Sequence, residues 1–156
     1  MKSIYRILTV SIFLLGFISK GMSQNTVMFS VNNNWENQYW VDGKVIKKNI
    51  NGNWVNQLWI DSNVVKKEWN GKWTNWYWID QDVIKKEENG RWVNYYWIKD
   101  GCIKVPEGTK WYNQWWLDKD ILKYAEGANW YNLAWIKGTI DLRILAVIMD
   151  DWYAKR

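Results

Sequence analysis

Tryptophan stands at 35, 54, 73, 92, 111 and 130, and again at 40, 59, 78, 97, 116 and 135. An indole can do two things. It buries a large apolar area, and it offers a flat π-face to cations and to C–H-rich surfaces such as one face of a sugar ring. A row of such rings at regular spacing suits a polymer. Asparagine recurs between the two rows, at 37, 56, 75, 94, 113 and 132, and Gln38, Gln57 and Gln114 could hydrogen-bond hydroxyl groups. Other chemistry is thinly supplied. The chain has no histidine, which excludes His-based triads, His metal ligands and His acid–base catalysis. Cys102 is the single cysteine, so there is no internal disulfide framework, and its thiol has no candidate base. Asp61, Asp80, Asp82, Asp118 and Asp120 fall in turn-like stretches, where Asp bonds its own backbone. No unit gathers the roughly six to eight oxygens that calcium takes. Neither a metal nor a cofactor is expected. Near-identical groups repeated many times describe a multivalent binding design rather than one catalytic centre.

These residues must be positioned by a repeated element. The unit W-x-N-x-x-W-[VIL] occurs six times at a step of 19 residues without insertion, which is tandem duplication. It accounts for twelve of the 16 Trp; Trp69, Trp76, Trp115 and Trp152 stand outside it. Each unit carries two turn signals. One follows the second Trp, as in Asp42-Gly43 or "DSN" at 61–63; the other precedes the next first Trp, as in Asn51-Gly52, Asn70-Gly71 and Asn89-Gly90. Asn-Gly between apolar runs is a strong hairpin signal because both residues tolerate positive φ. The intervening runs, such as "NWVNQLWI" and "VVKKEW", are rich in β-branched and aromatic residues. The fold class is therefore all-β: six tandem 19-residue β-hairpin repeats over 35–138, about twelve strands in an antiparallel meander.

An odd period constrains the strands. Two-residue turns alone would require an even unit if every copy is to face the same way, so each unit needs an odd-length loop or a bulge. The expected place is beside a glycine, moving in the last two units, where Gly108 and Gly127 stand three residues before Trp instead of two. Simple alternation puts Trp54, Asn56, Leu58 and Ile60 on one face, and Val55, Gln57 and Trp59 on the other. On that reading the first Trp row is core, and the Asn row satisfies a buried polar group at each hairpin. The second row lies on the opposite face. The candidate ligand-binding residues are Trp40, Trp59, Trp76, Trp78, Trp97 and Trp116 with Gln38, Gln57 and Gln114.

Twelve twisted strands curl. A curled meander or hairpin superhelix is expected in preference to a closed barrel, because twelve strands enclose more space than side chains can fill. The lysine pairs 47–48, 66–67 and 85–86 read as a solvated edge, and with the short second strands they argue against a membrane barrel. The stretch 139–156 leaves the pattern and reads as a C-terminal cap, a strand "IDLRI" followed by a helical or irregular piece. Residues 24–34 form a lead-in.

Residues 1–23 have the three regions of a secretory signal peptide: Lys2 and Arg6, the apolar "ILTVSIFLLGF", and small residues in "GMS" before Gln24. A secreted, periplasmic or cell-surface location is expected, with no transmembrane segment once the signal is cleaved. Cleavage would remove three cations and no acid, lowering the formal charge from +5 to +2, which gives no footprint for nucleic acid. "NGKWTNWYWID" (70–80) and "NGRWVNYYWIKDG" (89–101) resemble the short aromatic β-hairpin repeats of choline- and glucan-binding cell-wall proteins, with MORN and WG-type repeats as looser relatives. The resemblance implies a β-hairpin repeat and a sugar-polymer or cell-wall partner. The alternative is a structural or protein-interaction module, inhibitor- or immunity-like, whose Trp rows are purely core.

Overall fold

Two-residue turns set the strand lengths. The computed structural model describes residues 24–154, so segment 1–23, which the sequence reads as a signal peptide, lies outside the described residues. Twelve antiparallel strands follow one another: β1 (Asn25–Val31), β2 (Asn34–Asp42), β3 (Val45–Ile50), β4 (Asn53–Asp61), β5 (Val64–Trp69), β6 (Lys72–Asp80), β7 (Val83–Glu88), β8 (Arg91–Lys99), β9 (Cys102–Glu107), β10 (Lys110–Asp118), β11 (Ile121–Glu126) and β12 (Asn129–Lys137). A nine-residue strand, a two-residue turn, a six-residue strand and a second two-residue turn make the 19-residue unit. At Asn51-Gly52 both turn residues have positive φ (52° and 84°), the type I′ pattern. At Gly108-Thr109 and Gly127-Ala128 only the first does, the type II′ pattern. The shift of glycine in the last two units thus records a change of turn type at constant length.

The odd residue sits elsewhere. In every unit the ladder between a short strand and the following long strand slips by one, as where Ile46 faces Leu58 but Lys47 faces Asn56. The unpaired residues are Gln38, Gln57, Trp76, Tyr95, Gln114 and Leu133. The bulge required by the period therefore occurs six times at one position, in mid-strand between the repeated Asn and the second Trp. It is neither beside a glycine nor displaced in the last two units.

The meander closes. β1 pairs with β12 through Thr26–Phe29 and Ala134–Lys137, so the sheet is a twelve-stranded barrel rather than an open superhelix. The lead-in supplies β1, which stands where a sixth short strand would stand beside the sixth long one. What fills the wide interior is the helix α1 (Leu142–Tyr153). Its residues Ile144 to Asp151 are buried on every side. Its side chains bond or stack with β1 (Phe29 on Trp152), β2, β3, β4, β5, β6, β7, β8 and β10 (Trp115 on Tyr153). A helix touched from so many strands of a closed sheet is a plug. The expected strand at "IDLRI" does not form; Asp141 caps the helix by accepting from the Arg143 N–H at 2.8 Å.

Inward positions of the strands complete the core: Val27, Phe29, Tyr39, Ile46, Leu58, Val65, Tyr77, Ile84, Tyr96, Ile103, Trp115 and Leu122. None of the twelve repeat tryptophans is among them. Asp150 and Asp151 end the plug, and their charge is met from the wall. Asp151 accepts from the Tyr39 hydroxyl (2.7 Å) and Gln57 (3.2 Å) and pairs with Lys48 (2.9 Å) and Lys67 (2.7 Å). Asp150 accepts from the Tyr77 and Tyr96 hydroxyls (2.6 and 2.8 Å) and pairs with Lys86 (2.8 Å). The lysine pairs are therefore divided: Lys48, Lys67 and Lys86 face inward, while Lys47, Lys66 and Lys85 face out.

Candidate functional site: a tryptophan belt

The bulge decides where the rings go. Without it, Trp54 and Trp59 would lie on opposite faces of β4. With Gln57 unpaired, Trp54, Asn56 and Trp59 all share the outer face, and Val55, Gln57, Leu58 and Ile60 share the other, on which Gln57 and Leu58 are buried while Val55 stays 43% exposed. The same slip acts in every unit. Both Trp rows therefore share the outer surface, which corrects the reading of the first row as core. Five of its six rings are 36–43% exposed.

The two rows meet in pairs. Each second-row ring reaches across the intervening short strand to the first-row ring of the next long strand. Trp40–Trp54, Trp59–Trp73, Trp78–Trp92, Trp97–Trp111 and Trp116–Trp130 are edge-to-face, with centroids 5.8–6.0 Å apart and planes at 68–79°. This is a favoured aromatic geometry. Trp135 and Trp35 close the circle across β1, at 6.4 Å and 27°. The result is a belt of six indole pairs around the barrel.

Charge is built into the belt. Lys47, Lys66, Lys85, Lys104 and Lys123 stand directly opposite the second-row rings Trp40, Trp59, Trp78, Trp97 and Trp116. Their ammonium groups lie over those rings at 4.2–5.3 Å. Four of them also bond the Asp that ends the same long strand, Asp42, Asp61, Asp80 or Asp118, at 2.6–2.8 Å. Hydrogen bonds from Lys66 and Lys123 hold the carboxyls of Asp61 and Asp118 below the ordinary carboxylate range. In the fourth unit Lys99 replaces that Asp, and it too lies over Trp97, at 5.1 Å. The repeated Asn residues face outward and are exposed; five are in cross-strand register with these lysines, and Asn37 is opposite Met28. They do not serve a buried group.

The remaining candidate residues separate from the belt. Trp40, Trp59, Trp78, Trp97 and Trp116 are on it. Gln38, Gln57, Gln114 and Trp76 are the bulge residues and turn inward instead. Gln57 is spent on Asp151 and Gln38 bonds Glu36 at 3.2 Å. Trp76 stacks on Trp69 (6.3 Å, 25°), under the Lys67 ammonium at 5.4 Å, so it does not share a face with Trp78. The outer residues missed by face alternation are the first-row tryptophans and the Asn row; Trp135 lies on the belt with the rest of the second row. No family model, curated protein or solved structure matches the chain.

Proposed function

We propose that this is a secreted, non-catalytic binding protein that takes glycan or a cell-surface polymer on its tryptophan belt. The observation that carries the reading is the outward pairing of Trp in all six units, with seven of the twelve rings at least 36% exposed. Exposed apolar surface of this extent costs a protein unless a partner covers it. Each pair has an indole π-face for a sugar's C–H face, with an exposed Asn, Lys or Asp alongside to meet hydroxyl groups. The outward facing of both rows, with five rings of the first and two of the second exposed, favours this reading over a structural module in which they are core. The polar groups beside the rings are Asn and the Lys–Asp pairs, in place of the glutamines.

Residues 1–23 act in this proposal as the signal for export to the periplasm or cell surface. The outward Lys–Asp pairs keep the barrel in water rather than lipid, and no cofactor or nucleic acid takes part. The test is a glycan array probed with residues 24–156, with acrylamide quenching of Trp fluorescence recorded with and without the retained glycan. A retained glycan should shield the belt from quencher. An array on which nothing is retained, with quenching unchanged by every polysaccharide tried, sinks the proposal. Trp78→Ala should weaken retention only a few-fold, since five pairs remain. Replacing Trp59, Trp78 and Trp97 together should cost about 100-fold through lost avidity.

A further inference from the structure

The belt is not uniform, and its exception lies where the barrel closes. Five second-row rings face a lysine on the neighbouring short strand. At the seam that strand is β1, and Met28 stands opposite Trp135. A thioether thus replaces the ammonium that lies over each of the other five rings. Trp135 is the most exposed ring of its row, at 49%. Its partner Trp35 is stacked near-parallel instead of edge-on. Beside it opens a cavity of about 600 Å³, lined by Met28, Ile121 and Trp135 and rimmed by Asp118, Asp120 and Lys137.

From this geometry we infer that the seam pocket around Trp135 is a distinct site for a single sugar ring and binds it more tightly than the other five pairs. The inference rests on the glycan-binding reading of the belt. A sugar ring has an apolar C–H face and a periphery of hydroxyls. The seam offers the matching pattern: an indole face with Met28 and Ile121 around it, and charged hydrogen-bonding groups at the edge. The volume lies in the range of small-ligand sites, about 300–1,000 Å³. At the other five pairs a ligand must displace an ammonium held over the ring, and that contact is worth enough to cost a several-fold loss in affinity. Among the described residues no ammonium lies over Trp135.

The test follows single rings in the purified protein. With 5-fluorotryptophan incorporated, the resonance lost in Trp135→Phe identifies the seam ring, and the one lost in Trp78→Phe identifies an ordinary second-row ring. Methyl glycosides of glucose, galactose, mannose and N-acetylglucosamine are titrated in turn. The Trp135 resonance should respond at the lowest concentration. Met28→Lys, which installs at the seam the residue the other five copies already carry, should weaken that response roughly three- to tenfold. Lys85→Met should shift the Trp78 titration toward that of Trp135, and it decides the matter if Met28→Lys does not fold. The inference is overturned if all second-row rings titrate together, or if neither substitution moves its ring's midpoint. It is equally overturned if no ring responds to a glycoside while the array retains glycans; the belt reading then survives. A blank array removes both.

Discussion

At the scale of single residues, the informative pair is Asp150 and Asp151. Burial alone would raise the Asp151 carboxyl, but Lys67 and Lys48 outweigh it and bring it down to about 2 from 3.8. A depressed carboxyl stabilises the fold above its unfolded value. That contribution, about 2 kcal/mol, is therefore complete above pH 4 and lost as pH falls from 4 through 2. Urea titrations across pH 2–6 should show it, and Asp151→Asn should remove this limb of acid sensitivity. The same variant should cost about 3–5 kcal/mol at pH 7, because it leaves Lys67 buried without its carboxylate. This cluster had a trace in the sequence. The first lysine of each short strand recurs at 47, 66, 85, 104 and 123, whereas the second is lysine only at 48, 67 and 86, then Val105 and Tyr124. A position that varies while its neighbour repeats answers to something singular, here one helix end inside a repeating wall. Reading each pair as one solvated unit hid that difference.

At the scale of the element, the 19-residue period required a device in each unit but could not locate it. Turns announce themselves through residues that tolerate positive φ. A mid-strand bulge has no such marker, and this one is occupied by Gln, Gln, Trp, Tyr, Gln and Leu in turn. The hairpins were legible for that reason, while the facing of every residue before the bulge was not. The turns also predict graded costs. At Gly52, φ is +84° and an added Cβ would meet nothing within 4 Å, so Gly52→Ala should lose only the backbone term, about 1–2 kcal/mol. At Gly138, between β12 and α1, φ is +85° and a Cβ would run into Asn25 Oδ1, which accepts from the Thr139 N–H at 3.1 Å. Gly138→Ala should therefore be clearly the costlier of the two in urea unfolding. Equal losses would mean that the entry of the chain into the barrel is not held as described.

At the scale of the whole molecule, closure and plug depend on each other. Twelve strands enclose too much space for side chains, and that argues against a barrel only if the last segment lies outside it. "ILAVIM" at 144–149 is apolar on all sides, which marks a helix with no solvent face. Ile144, Leu145, Val147, Ile148 and Met149 are each worth about 1.5–3 kcal/mol when buried. Together they match the entire stability of an ordinary domain, about 5–15 kcal/mol. A chain ending at Gly138 should therefore show no cooperative unfolding transition and no near-ultraviolet dichroism, and a peptide of residues 139–156 added in trans should restore both. A truncated chain that melts cooperatively alone would show that the wall does not need its filling.

The ring also sets a limit that open repeat arrays do not have. A linear stack can gain or lose a copy at its end by recombination and remain a stack. Here a seventh unit would widen the circle around a helix of unchanged girth, and a ring of only five would leave no room for it. The gene can change the sequence of its copies freely, but it cannot easily change their number. Diversity in this molecule must therefore arise by divergence of one station from another, and the station at the seam already differs from the other five.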